Sequence, residues 1–245
     1  MRRARRLGLI GAGRIGGAVR AALESGVLTG WELTGVLVRA ATRPTDVLVS
    51  ADIARFLAPR PELVVDLAGP GALAAHGEAV LRQTELWTIS GVALADAALM
   101  RRLESCGRAS GHRLRVLSGA IAGLDGVASM SAAPEATLEL DIDLPPGPGP
   151  AEERFAGTVR EAAVRFPHAV NVAVAAALAG PGLDATTIRV RHPGPVPRHR
   201  LALHVHSAAG SVRAESVPLL ARGVHPVACN VIAALRNELR TIWVG

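Results

Sequence analysis

The chain of 245 residues contains no lysine and no tyrosine, so every strongly basic side chain is an arginine. Without lysine there is no Schiff-base nucleophile, no anchor for pyridoxal phosphate and no P-loop lysine for nucleotide phosphates. Without tyrosine, reductases that protonate through a Tyr-Lys pair are excluded too. General acids and bases must come from His, Asp, Glu or Cys. Aromatics are nearly missing, with three Trp and three Phe set far apart, and the formal charge of +6 is scattered arginine. That pattern suits a small anionic ligand and not nucleic acid, which needs a basic stripe and stacking platforms. Cys106 and Cys229 are too few for a disulfide scaffold and lack metal-ligand spacing, as expected in a reducing compartment. No apolar run reaches the roughly 18 to 20 residues of a membrane span. Met1-Arg2-Arg3-Ala4-Arg5-Arg6 is charged like the start of a signal peptide, but the stretch after it is broken by glycines and Arg14. A soluble, cytoplasmic protein without a membrane partner is expected.

What is present begins with Leu7-Gly8-Leu9-Ile10, a short buried-strand pattern running into Gly11-Ala-Gly13-Arg14-Ile15-Gly16. Ile15, Val19, Ala22 and Leu23 then recur at helical spacing, and Trp31 to Val38 reads as a second strand. A strand–GxGxxG–helix–strand unit of about thirty residues is the context in which this motif binds a dinucleotide. The first two glycines make the turn and let the backbone approach a pyrophosphate, and the third lets the helix pack on the sheet. The bland alternative is a glycine-rich turn that binds nothing. Leu63–Leu67, Leu86–Ser90 and Arg113–Leu117 supply three further strands, with helices opening at Gly69 and spanning Ala95–Cys106. This alternation predicts an α/β fold with a Rossmann-type doubly wound parallel sheet.

Cofactor choice is written at the end of the second strand, where an acid would bind a ribose 2′-hydroxyl. The chain instead reads Val38-Arg39-Ala-Ala-Thr42-Arg43, so NAD or NADP is expected, with a 2′-phosphate tolerated by Arg39 and Arg43. Both arginines also fit as solvated loop residues.

After Ser118 the pattern changes. Ala136–Leu144 alternates with period two, Leu144–Pro150 is a loop by composition, and Phe155–Arg165 and Asn171–Ala179 read as helices. Thr186–Arg191, Leu201–His206 and Ser211–Glu215 read as strands, and Pro226–Thr241 as a final helix. The expected organisation is a dinucleotide-binding domain of residues 1–117 with 221–245, and a second α+β domain of residues 118–220 with a mixed or antiparallel sheet for substrate binding and dimerisation.

The stretch Ser118-Gly119-Ala120-Ile-Ala-Gly123-Leu-Asp125 follows the last strand, at the carboxyl edge where such sheets bind ligands. Its small residues would let backbone amides reach a carboxylate or the nicotinamide; a hinge between domains would need the same residues. With this stretch the chain resembles the L-aspartate dehydrogenase family, whose pattern runs from the glycine turn to Ser-Gly-Ala-Ile-x-Gly-Leu-Asp and Phe-Pro-x-Asn-x-Asn-Val-Ala. A strand-edge histidine and Asn-Pro-Lys-Thr-Ser before the last helix complete it. Here stand Phe166-Pro-His-Ala169-Val-Asn171-Val-Ala173, His199 after Pro195-Val-Pro-Arg198, and His225-Pro-Val-Ala-Cys229. The chain departs from the family at Ala169 and across His225–Cys229.

The resemblance implies reversible NAD(P)-dependent oxidative deamination of L-aspartate, a small dicarboxylic amino acid, to iminoaspartate and then oxaloacetate and ammonia, with His199 as acid and base. It also implies a homodimer and a place in NAD biosynthesis. A histidine suits the proton transfer because it titrates near neutrality. The cofactor set is Gly11, Gly13, Arg14, Ile15, Gly16, Arg39, Ala68, Ala120 and Asn171; the substrate set is Ser118, Gly119, Ala120, Asn171 and His225. Strand alternation sets Arg198 and Arg200 on the face opposite His199, so neither is automatically a carboxylate clamp. His204 and His206 share a strand face but have no evident third metal ligand, and no metal is expected. His76 reads as a helix-surface residue, and His225 fits an ordinary helix start as well as a binding role. A dehydrogenase or imine reductase of the same fold acting on another small acid, and a non-catalytic cofactor-binding homologue, remain as alternatives.

Overall fold

The computed structural model describes residues 3–40, 48–145, 150–194, 199–219 and 225–242. The expectations placed on Thr42, Arg43, residues 146–149 and residues 195–198 lie outside them. The chain divides into two compact units, one running to Leu117 and resuming from Arg222, the other spanning Ser118–Ala221.

The first unit runs β1 (Arg5–Ile10), α1 (Arg14–Glu24), β2 (Trp31–Leu37), β3 (Val49–Ser50), α2 (Ile53–Leu57), β4 (Leu63–Asp66), α3 (Pro70–Leu81), β5 (Glu85–Thr88), a 3₁₀ turn Gly91–Ala95, α4 (Ala97–Ser110) and β6 (Leu114–Val116). All six strands pair in parallel in the order β3-β2-β1-β4-β5-β6. The order reverses at β1, and open α/β sheets bind ligands beside such a switch point, at the carboxyl ends of the strands. Central strands covered on both faces need continuous apolar runs; Leu63, Val64 and Val65 of β4 are all buried.

Two features escape a periodicity reading. β3 is only two residues long, and α2 is a five-residue helix started by Asp52, whose carboxylate accepts from Ala54 N and Arg55 N. Phe56 of α2 fills the space over Gly8 and Gly35; a Cβ at either glycine would come within 2.7 and 3.1 Å of its ring.

The second unit runs α5 (Leu124–Ser131), β7 (Thr137–Asp143), β8 (Glu152–Thr158), α6 (Val159–Arg165), α7 (Asn171–Ala179), β9 (Thr186–His192), β10 (Arg200–Ser207) and β11 (Gly210–Ser216). Its mixed sheet has the order β11-β10-β7-β9-β8, with β7 and β9 parallel and the other pairs antiparallel. Period two sorts the faces. Leu138, Leu140, Ile142, Ile188, Val190, Leu201, Leu203 and Val205 are buried; α5 and α6 pack on the sheet, and α7 packs against both of them. The alternate residues form a charged face, with Arg191 paired to Asp141 and Asp143 and Arg200 to Glu215.

The helix expected over Phe155–Arg165 is a correction. Its first four residues end strand β8, which pairs with β9 as an edge strand, and the helix starts only at Val159. Thr158 and Glu161 form a capping box there, each side chain bonded to the other's backbone N–H. The helix expected over Ala95–Cys106 is likewise the 3₁₀ turn followed by α4, whose Asp96 cap accepts from Ala98 N and Leu99 N.

The last helix, α8 (Pro226–Glu238), belongs to the first unit. Its Val231 and Leu235 join the buried cluster of Leu7, Leu9, Val19 and Trp31, and the Trp31 indole donates to the Leu235 carbonyl at 3.0 Å. Among the described residues, no helix is long and apolar enough to cross a membrane.

Candidate active site

The glycine turn joins β1 to α1 at the carboxyl end of the central strand. Each of its three glycines answers a different demand. Gly11 has φ +101, and a Cβ there would stand 2.9 Å from the Ala68 methyl. A Cβ at Gly16 would overlap the Gly11 carbonyl oxygen, so the helix can lie against the turn only without one. Gly13 has nothing within 4 Å of where its Cβ would be, so its backbone is open to a ligand. It is the N-cap of α1 with no side-chain cap, and the first turn carries no acid. The N–H groups at a helix start attract a phosphate. An open, uncapped start behind two glycines forced by packing fits a dinucleotide pyrophosphate.

Beyond β2, Arg39 is exposed and has no ion pair among the described residues. Asp52, a described carboxylate after that strand, is engaged in capping α2. Arg43 lies outside the described residues. Arg14 is exposed and Ile15 half-buried at the start of α1.

His225 belongs to the same unit. It is the N-cap of α8, and its Nδ1 accepts from Val227 N at 3.2 Å. Accepting there requires an unprotonated Nδ1, so the neutral ring carries its hydrogen on Nε2. Burial and then the positive charge of Arg14 hold its pKa below the ordinary 6.5. The proposed substrate residue thus sits in the unit of the glycine turn, with the Arg14 charge acting on it.

Ala68, which packs on Gly11, is held by a group that the sequence reading passed over. Asp66 ends β4 with no solvent exposure. Its Oδ1 accepts from Ala68 N at 3.0 Å, and its Oδ2 from the Thr88 hydroxyl at 2.8 Å. Thr88 Oγ1 accepts in turn from Ser90 N at 2.8 Å. Desolvation raises the Asp66 pKa above its ordinary value, against the hydrogen bonds from Ala68 and Thr88 and the charge of His76. The signal in the sequence was a lone acid inside the apolar run Leu63-Val-Val-Asp-Leu67.

In the second unit, His199 stands immediately before β10, half-buried. Its Nδ1 lies 2.7 Å from the main-chain oxygen of Asp143 at the end of β7. A carbonyl only accepts, so Nδ1 carries the hydrogen, and in the neutral ring Nε2 is the nitrogen with the lone pair. Arg200 is held by Glu215 at 2.8 Å on the charged sheet face; Arg198 lies outside the described residues. His204 and His206 alternate with buried Leu203 and Val205, on the face of Arg200.

The Ser118–Asp125 stretch divides into two parts. Ser118, Gly119 and Ala120 are half-buried, and a turn closes from Ile121 N to Ser118 O at 3.4 Å, with Gly119 at φ +67. Ala122 N donates to Ser216 Oγ at 3.1 Å. The later glycines serve packing: a Cβ at Gly123 would come 2.9 Å from the Ala214 methyl, and at Gly126 3.0 Å from Val212. Both let α5 lie close on β11, and Asp125 places an acid in its first turn. Asn171, half-buried, opens α7 beside the fully buried Val170.

Comparison with known proteins gives two family models that match successive parts of the chain. Residues 11–117 match the NAD-binding domain model of homoserine dehydrogenase, and residues 118–237 match the model of the aspartate dehydrogenase C-terminal region. L-aspartate dehydrogenase 2 of Bordetella bronchiseptica is 34% identical, with 98% of this chain and 99% of that protein covered. L-aspartate dehydrogenase of Ruegeria pomeroyi is 37% identical, covering 95% and 92%. The crystal structure of aspartate dehydrogenase from Thermotoga maritima shares the fold, with a TM-score of 0.80 at 23% identity over 98% of this chain and 99% of that one. With a glycine turn built for a dinucleotide, an unbroken Ser118–Asp125 stretch and full-length relatives above 30% identity, the chain belongs to the L-aspartate dehydrogenase family.

Proposed function

We propose that the protein catalyses the NAD(P)-dependent oxidative deamination of L-aspartate to iminoaspartate, which hydrolyses to oxaloacetate and ammonia, and the reverse reductive amination. When bound, the nicotinamide supplies the acceptor for the hydrogen leaving Cα with its electron pair. One observation carries the chain's part in the chemistry: the His199 ring is fixed through Nδ1 by Asp143 O, which leaves Nε2 as the nitrogen for proton transfer. That nitrogen takes a proton from the substrate amine and returns it in the reverse direction. The Ser118–Ala120 backbone and Asn171 bind the substrate carboxylates, and Gly11–Gly16 with Ala68 and Arg39 bind the dinucleotide. The first unit is thus the dinucleotide-binding domain and the second the substrate and dimerisation domain. The names of the relatives support aspartate as substrate; by the same resemblance the enzyme works as a cytoplasmic homodimer feeding NAD biosynthesis.

A panel of amino acids with NAD and NADP, and of 2-oxoacids with ammonia and the reduced cofactors, tests the reading. Turnover highest with L-aspartate and oxaloacetate is the expected result. Turnover of another acid with aspartate inert overturns the substrate. Cofactor binding without turnover of any acid in either direction overturns the enzyme.

A further inference from the structure

The Asp66 carboxyl is a buried ionisable group that the reaction above does not use. Burying a charge-bearing group is costly unless its hydrogen bonds are satisfied, yet this one stands at the carboxyl end of β4, next to the central strand β1. Oδ1 holds the N–H of Ala68, two residues on, in the connection from β4 to α3. Ala68 is the residue against which Gly11 is pressed, its N, Cα and Cβ all within 3.0 Å of where a Gly11 Cβ would be. Gly11 in turn presents its carbonyl to Gly16 at the start of α1. On the other side, Oδ2 is tied to Thr88 at the end of β5, and Thr88 to Ser90 N. The same connection contains Gly69 at φ +105 and the start of α3, which has no side-chain cap. Leu67 N adds one bond, to Ile10 O at 2.8 Å.

We infer that Asp66 is a positioning residue for the dinucleotide site, holding Ala68 through Oδ1 so that the wall behind the glycine turn stays where the cofactor requires it. Asp66 does not touch the cofactor; it acts through Ala68 and Gly11, with Thr88 and Ser90 locking the carboxyl in the rotamer that reaches Ala68 N. A buried acid is retained here because an apolar residue of the same size could not restrain a backbone N–H.

The inference rests on dinucleotide binding at the glycine turn and is independent of aspartate as substrate. The test is therefore cofactor affinity without substrate, read by NADH and NADPH fluorescence titration, alongside KM, kcat and thermal midpoint. Asp66→Ala is expected to raise the dissociation constant about tenfold, the order for leaving a buried N–H without its acceptor. Its kcat at saturating cofactor should fall by less than about threefold, because the proton-transfer groups are untouched. Asp66→Asn keeps an oxygen for Ala68 N and should bind within about twofold of the unaltered protein. A carboxyl that served stability alone would lower the midpoint in Asp66→Ala with affinity unchanged, and that result overturns the inference. Should Asp66→Ala not fold, Thr88→Val decides. It frees the carboxyl from its lock while leaving the connection intact: cofactor affinity weakened about threefold supports the inference, and unchanged affinity overturns it.

Discussion

Gly16 lies against the carbonyl oxygen of Gly11 so closely that a Cβ on it would overlap that oxygen, whereas Gly13, between them in sequence, faces open space. The two glycines should therefore fail differently. Gly16→Ala is an overpacking change expected to cost about 1–3 kcal/mol of stability, measured by denaturant unfolding. Gly13→Ala should cost less than about 1 kcal/mol yet weaken dinucleotide binding about tenfold by occupying the approach to the helix start. If both variants lost stability alike and kept their cofactor affinity, the turn would be packing alone.

His199→Ala should lower kcat for aspartate oxidation by about 10²- to 10⁴-fold, the range for loss of a general base, with the NADH dissociation constant unchanged. His199→Gln should not restore the rate, since its amide carries no titrating nitrogen. Undiminished turnover in either variant would move the acid/base role to another residue.

The neutral His225 ring makes stability depend on pH with a definite sign. Burial and Arg14 depress its folded pKa below 6.5. The unfolded chain therefore binds the proton more readily, and stability rises with pH across the interval between the two values. This contribution is present in full above about pH 6.5 and is lost as pH falls through the folded pKa, when the protonated ring can no longer accept from Val227 N. His225→Asn supplies another capping oxygen without a titrating ring. The stability difference between the two proteins, followed from about pH 8 to about pH 5, should shift against the histidine form on acidification. A difference constant with pH would remove the titration from His225.

Arg39 stands exposed beyond β2 and unpaired among the described residues. Arg39→Ala should raise the KM for NADP about tenfold, the scale of one charge-assisted hydrogen bond, and change that for NAD by less than about twofold. Equal effects on both cofactors would make Arg39 a general electrostatic contributor.

What could be read from the sequence follows how strongly each segment's pattern is forced. β1, the glycine turn and α1 declare themselves because burial on both faces, a tight turn and a packed helix all constrain composition at once. β7 declares itself because Leu138, Leu140 and Ile142 alternate with Glu139, Asp141 and Asp143. β8 does not: at the sheet edge six of its seven residues from Glu152 to Thr158 are charged, small or polar, so no period marks it. Thr158, three residues before Glu161, is the marker in the sequence that announces the helix start. α5 hides behind Gly123 and Gly126, poor helix formers kept for close approach to Ala214 and Val212. The candidate site shows the same split. His199 is proposed through family resemblance, because nothing in its local spacing demands chemistry, whereas Ser118–Ala120 is marked by small residues directly after the last strand of the sheet. Asp66 was readable as an acid in an apolar strand, but its partner Thr88 is fixed only by the pairing of β4 with β5.

The return of α8 to the first unit has a consequence for the order in which the protein is made. Trp31 and the carbonyl that receives its indole hydrogen are 204 residues apart, and Val231 and Leu235 fill the core that Leu7, Leu9 and Val19 begin. A chain emerging from the ribosome exposes the first sheet long before the helix that seals it exists, whereas the elements of the second unit are contiguous and complete themselves on the way. Synthesis at about 5–20 residues per second leaves that apolar face open for several seconds or more. The half that carries the glycine turn is begun first and finished last.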